Sequence, residues 1–264
     1  MTRGFIISAQ NTKSTDYVTC AIELAKSIKR VMPQEKVALM TDDQVTSKYF
    51  DFVIPLPHGD LVPESEWKLI NDIQVYEASP FDQTIKLEAD MYVPVNIDYW
   101  FDLMSLNHVS VCKTIRNFKN EVSDSDYYRK LIIDNNLPNV YNAITYFDKS
   151  EFSKKFFNIV NDVFINWENY KNILKCNNDE PCTTDWAYAL ACHIMGEEKT
   201  TVPSDTISMV HMKQFINNTV TEDWTNELVY ELSDESFRIQ THPQLYPVHY
   251  HIKHFANTLK KDLK

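Results

Sequence analysis

The segment Thr84-Ile-Lys-Leu-Glu-Ala-Asp-Met-Tyr-Val-Pro94 puts two carboxylates, Glu88 and Asp90, at the end of an apolar run. Alternate residues of an extended chain point to the same side, so the two converge on one point at a sheet edge. Convergent carboxylates suit a hard divalent cation, Mg2+ or Mn2+, and such a cation clamps a diphosphate. The competing reading is an acidic pair that simply faces water. Glycine usage decides how else phosphate could be held, because the 264-residue chain contains only Gly4, Gly59 and Gly196. Walker loops and GxGxxG turns need clustered glycines so that backbone N–H groups can approach phosphate. Those devices are excluded, which leaves a metal ion as the simplest way to bind a nucleotide.

The elements that must position these carboxylates alternate between strand and helix. Residues 4–9 form an apolar run suited to a buried strand. Ser14 or Thr15 then caps a helix whose inward face, Val18, Ala21, Ile22, Ala25 and Ile28, repeats at the helical period. Strands are expected over 37–40, ending in Thr41, Asp42 and Asp43, and over 52–56, 84–90, 109–112 and 143–147. Helices are expected over 67–76, over 152–167 with Phe152, Phe156, Val160 and Val163 on one side, and from a Thr184 cap through Ile194. This order implies an α/β fold: one Rossmann-like, mainly parallel sheet with helices on both faces. Residues 1–203 read as the core, and 204–264 as an irregular extension of the same domain that closes the site.

Composition narrows the partners. A net charge of −11 argues against coating nucleic acid by bulk electrostatics, although a local basic strip exists at Lys113, Arg116, Lys119, Arg129 and Lys130. Cys20, Cys112, Cys176, Cys182 and Cys192 form no CxxC pair, which reads as idle or buried thiols in a reducing compartment. A zinc cluster of Cys176, Cys182, Cys192 and His193 has the right residue types but too wide a first spacing. No apolar segment follows Met1 and no run of about 18 apolar residues occurs, so the expectation is a cytoplasmic protein with no membrane partner.

Several segments carry a family resemblance. Leu87-Glu-Ala-Asp-Met91 resembles the DxD motif of GT-A fold glycosyltransferases, where a phrase like LDADM ends a central strand and binds the metal of a nucleotide sugar. Tyr141-Asn-Ala-Ile-Thr-Tyr-Phe147 resembles the NAGV segment of glycogenin-like transferases, which lies along the sugar site. Thr183-Thr-Asp-Trp-Ala187 resembles the helix start where those enzymes carry an acidic or amide residue near the reacting carbon. Val248-His-Tyr-His-Ile-Lys253 resembles their late HY…K segment, whose His completes the metal site and whose Lys contacts diphosphate. Two departures stand out: Glu88 replaces the usual first Asp, leaving direct coordination open, and Ala143-Ile144 replaces Ala-Gly, narrowing backbone approach to the sugar. The phrases at 79–94, 127–147, 210–213 and 246–253 together are similar to glycosyltransferases of T-even-like bacteriophages, a group that includes enzymes attaching arabinose or another sugar to 5-hydroxymethylcytosine in DNA.

The resemblance implies a UDP-sugar donor, Mn2+ or Mg2+, and a set of roles. Asp90, Glu88 and His249 would hold the metal, with His251 competing because it shares a face with His249. Lys253 would contact diphosphate, and His211 and Lys213 repeat the same residue types for phosphate or acceptor. Ala9, Asn11 and Tyr17 follow the first strand, where this fold seats the base. Asp42 would face base or ribose, or close a turn, while Lys86 would contact the donor and Asn142, in the segment along the sugar, would share the catalytic role with Asp185. Asp185 would either deprotonate the acceptor hydroxyl or stabilise oxocarbenium charge, or else serve only as a helix-start carboxylate. Arg116, Tyr128, Arg129 and Lys130 would seat double-stranded DNA carrying 5-hydroxymethylcytosine, with tyrosine stacking on the base. A saccharide or lipid-linked acceptor, or a non-catalytic binding module, is the alternative.

Overall fold

The computed structural model describes residues 1–175, 181–202, 204–233 and 236–262. Its strands are β1 (Arg3–Ser8), β2 (Lys36–Met40), β3 (Phe52–Ile54), β4 (Gln83–Glu88), β5 (Met91–Tyr92), β6 (Val109–Cys112) and β7 (Thr114–Arg116). They continue with β8 (Val122–Ser123), β9 (Tyr141–Asp148), β10 (Ser208–His211), β11 (Tyr230–Leu232), β12 (Phe237–Ile239), β13 (His242–Pro243) and β14 (Val248–His249). A six-stranded sheet runs in the order β3-β2-β1-β4-β9-β6. Neighbours from β3 through β4 are parallel, and β9 alone runs against its partners β4 and β6.

Both faces of this sheet are covered, which is why β1 reads as one unbroken apolar run instead of an alternating one. Phe5 and Ile7 pack with Ala21, Leu24, Ala25 and Ile28 of the helix Tyr17–Val31. Ile6 points the other way and packs with Phe156 and Val160 of the helix Glu151–Ile165 and with Tyr188 of the helix Thr184–Met195. Most expected element types are found, with shifted ends. Asp16, not Ser14 or Thr15, caps the first helix, because Ser14 hydrogen-bonds Glu66 while Asp16 Oδ1 accepts the Thr19 N–H at 2.9 Å. Thr183, not Thr184, caps the helix Thr184–Met195. β3 stops at Ile54, ahead of Pro55, which has no N–H for the ladder. The helix expected over 67–76 is a 3-10 turn, Leu69–Gln74, leading into Val75–Ala78. Asn71, Asp72 and Gln74 are buried there and spend their side chains on hydrogen bonds that an amphipathic helix would have turned to water.

The C-terminal segment is not irregular. β10 and β14 form the middle of a five-stranded sheet, β5-β14-β10-β7-β8, whose remaining strands come from residues 91–123. A small antiparallel meander, β11-β12-β13, lies beside it. Strands of two to four residues leave no periodicity to read in the sequence, and β10 and β14 find partners as distant as β7 and β5. Trp224 anchors this region: it is fully buried, packs on Phe255 with ring centroids 5.0 Å apart, and donates Nε1–H to the Tyr250 carbonyl at 3.0 Å. Trp224→Ala should therefore cost about 3–5 kcal/mol in urea unfolding. A loss under about 1 kcal/mol would show that this packing does not hold the segment.

Candidate active site

β4 ends at Glu88, and the chain turns through Ala89 and Asp90 into β5. Antiparallel pairing of β5 with β14 sets Met91 opposite His249, and the Tyr250 N–H donates to the Asp90 carbonyl at 3.1 Å. This pairing delivers His249 to the two carboxylates: its Nε2 lies 3.2 Å from Glu88 Oε2 and 3.2 Å from Asp90 Oδ2. One donor atom from each of Glu88, Asp90 and His249 falls within 4.8 Å of the others. The Lys253 ammonium also bonds Asp90 Oδ2 and lies 5.6 Å from the Tyr17 ring centroid. A partly buried cation thus already sits on Asp90, and two carboxylates with an imidazole are a fitting donor set for a divalent ion.

Electrostatics separate the two carboxylates. Burial pushes the Glu88 carboxyl above its ordinary range against the opposing pull of His249 and Lys86, with Asp90 adding repulsion. Burial acts on Asp90 too, but His249 and Lys253 overcome it and hold Asp90 well below the usual carboxylate range. Lys253 is raised despite burial, because Asp90 stabilises its charge.

The site opens into a cavity of about 430 Å³. Ala9 and Tyr17 line one side, and His211, Lys213 and His251 stand with the C-terminal residues. Parallel pairing of β10 with β14 puts His211 beside His249. Burial holds His211 and His251 well below the usual histidine range, with His249 reinforcing the effect. His251 reaches the cavity from a left-handed backbone at φ 59°, a conformation costing a residue other than glycine of order 1 kcal/mol. On the far wall, Lys86 is nearly fully buried and pairs with Asp72 at 2.7 Å, while donating to the Asn142 carbonyl at 3.2 Å. The Asn142 N–H donates to Asp185 Oδ1 at 3.0 Å, and Arg129 lies 3.4 Å from Asp185 Oδ2. Asp185 is therefore held from two sides at the cavity wall.

Four expected residues fall elsewhere. Asn11 does not line the cavity; its Oδ1 accepts the Val18 N–H at the start of the first helix, and its own N–H donates to Asp43. Asp42 also lies outside the lining, so the acidic pair after β2 serves the turn through Asp43. Arg116 spends its guanidinium on Ser208, Asn120 and Asp205 and stacks on Tyr246, so it is structural. Lys130 is exposed and away from the cavity. Arg129 lines the cavity but is buried, bonded to the Val140 carbonyl and placed over Tyr141, so it orients Asp185 and is not a free phosphate contact. With Lys113 paired to Glu197 as well, the basic strip breaks up on folding. Of the zinc candidates, Cys182 and Cys192 are buried free thiols, His193 faces solvent, and Cys176 lies outside the described residues.

Asp72 was missed by sequence reasoning, although a lysine inside the apolar strand β4 signals a buried carboxylate partner somewhere. Two aromatics of the cavity rim were also missed: Trp67, 55% exposed, and Phe215, whose ring lies 5.7 Å from that of Tyr127 beside Tyr128. Phe215 follows Lys213 in a segment with no aromatic periodicity to flag it.

No protein-family model matches the sequence, and no curated protein matches it. Solved structures do match in three dimensions. Mouse xyloside xylosyltransferase 1 in its apo form is similar over 96% of this chain and 98% of its own, with a TM-score of 0.53 and 11% identity. The apo form of the glycosyltransferase GlyE from Streptococcus pneumoniae is similar over 98% of this chain and 60% of its own, with a TM-score of 0.53 and 10% identity. The chain spans 45% of another GlyE structure and 40% of the bifunctional glycosyltransferase WbbM, both at a TM-score of 0.47. The architecture, a mainly parallel central sheet with helices on both faces, is that of the GT-A glycosyltransferase fold.

Proposed function

We propose that this protein is a metal-dependent glycosyltransferase that takes a sugar from a UDP-sugar. The observation that carries this reading is the gathering of Glu88, Asp90 and His249 within 4.8 Å at the mouth of a cavity that also presents Lys253 and Lys213. A bound Mn2+ or Mg2+ would neutralise diphosphate charge, both on donor binding and as the nucleoside diphosphate leaves. The chain's own residues do the rest. Tyr17 and Ala9 offer a flat, partly apolar wall for the base. Lys253, released from Asp90, and Lys213 face the phosphates. Lys86 and Asn142 line the sugar side, and Asp185, fixed by Arg129 and the Asn142 N–H, is the carboxylate beside the reacting carbon.

For the acceptor, we propose the hydroxyl of 5-hydroxymethylcytosine in DNA, with arabinose or a hexose as the sugar. Support comes from the sequence phrases at 79–94, 127–147, 210–213 and 246–253, and from the aromatic rim of Tyr127, Tyr128 and Phe215, on which a base can stack. Duplex contacts would fall to exposed groups such as Lys119 and Lys130, since Arg116 and Arg129 are engaged internally. Mass spectrometry of nucleosides from hydroxymethylated DNA incubated with a panel of UDP-sugars tests this. A sugar-sized mass gain on hydroxymethylcytosine is expected, whereas transfer only to free saccharides would overturn the acceptor and keep the class.

Two substitutions test the class itself. In calorimetry, UDP should bind the native protein about tenfold tighter with Mn2+ than without, and Asp90→Asn should erase that difference while transfer falls about 100-fold or more. Metal-independent UDP binding with unchanged turnover in Asp90→Asn would sink the metal role. Asp185→Asn should lower kcat by a similar factor with UDP affinity unchanged, because Asp185 lies on the sugar side of the cavity. Equal loss of UDP affinity would instead place Asp185 in nucleotide binding.

A further inference from the structure

His249 belongs to two groups of side chains. One is the acidic group with Glu88 and Asp90; the other is all imidazole, with one ring nitrogen from each of His211, His249 and His251 within 4.8 Å of the other two. His251 Nε2 lies 3.3 Å from His211 Nδ1, and a metal bonded to two imidazoles in a tetrahedral shell sets their nitrogens about 3.3 Å apart. His211 and His249 are 5% and 6% exposed, and the His249 Nδ1 has no hydrogen-bond partner among the described residues. A buried, unpartnered imidazole nitrogen is costly unless something comes to occupy it. The three rings are packed as a unit, with His249 and His251 centroids 3.9 Å apart and His211 and His251 centroids 4.5 Å apart.

We infer that His211, His249 and His251 form a second cation seat beside the carboxylate one, sharing His249 with it and taking a nitrogen-preferring divalent transition ion. Imidazole ligands favour Co2+, Ni2+, Cu2+ and Zn2+, while carboxylates favour Mg2+ and Mn2+. The cavity therefore offers a hard ion oxygen at Glu88 and Asp90 and a softer ion nitrogen at the histidines. The seat is a property of the folded chain and does not depend on sugar transfer.

The test uses Co2+ and Mn2+ on the full chain without nucleotide, reading Co2+ through its visible absorption and Mn2+ through its electron paramagnetic resonance signal. His211→Gln and His251→Gln should each weaken Co2+ binding by at least the factor of about 10 that losing even an outer partner of a ligand causes, with Mn2+ binding nearly unchanged. Glu88→Gln should do the reverse. Unchanged Co2+ affinity in both histidine variants would overturn the inference. So would an equal loss of Co2+ and Mn2+ in every variant, which would mean a single seat. Circular dichroism checks each fold; if buried His211→Gln does not fold, the half-buried His251→Gln decides alone.

Discussion

The short antiparallel pairing of β5 with β14 is the contact on which the candidate site depends. It is two residues long on each strand, yet it fixes His249 opposite Met91, one residue beyond Asp90, and ties the Tyr250 N–H to the Asp90 carbonyl. Backbone bonds rather than side-chain attraction therefore determine where the imidazole meets the carboxylates. Everything downstream follows from that register: His211 arrives because β10 pairs with β14, and Lys253 arrives because the chain turns at His251. A slip of one residue would turn His249 to the opposite face and leave Glu88 and Asp90 facing each other alone.

Two buried carboxylates side by side are unfavourable without compensating charge, and the compensation is unequal. Asp90 holds the ammonium of Lys253 and the imidazole of His249, whereas Glu88 shares the imidazole and has a more open side chain, 24% exposed. Asp90 is thus the fixed, ionised member and Glu88 the more easily protonated one. The longer arm of Glu88 lets it adjust to a ligand while Asp90 stays in place. On the far wall the same logic operates between Lys86 and Asp72 and between Arg129 and Asp185, where each buried cation has a carboxylate partner.

The sequence reveals local features well and long-range ones poorly. β1, β4 and the helix Glu151–Ile165 could be read because their apolar runs and periods are long. Glu88 and Asp90 were visible because alternation along one strand brings them together without help. His249 and Lys253 were reached only through resemblance, since nothing local says that β14 pairs with β5. The basic strip shows the opposite failure: Arg116 and Arg129 look like surface charge in sequence, but folding turns both inward to carbonyls and acids that lie elsewhere along the chain. Asn11 and Asp42 followed strands as expected, yet capping and turn bonds claimed the segment first.

In the proposed reaction Glu88, Asp90 and His249 together hold a divalent ion that clamps the donor's diphosphate. Crystals soaked with UDP and Mn2+, with diffraction data collected at the manganese edge, decide whether they do. An anomalous peak beside Asp90 and His249, next to an ordered diphosphate and with Lys253 moved off Asp90, is expected. Well-ordered UDP in the cavity with no manganese peak at Asp90, and with Lys253 still bonded to it, would rule this metal site out.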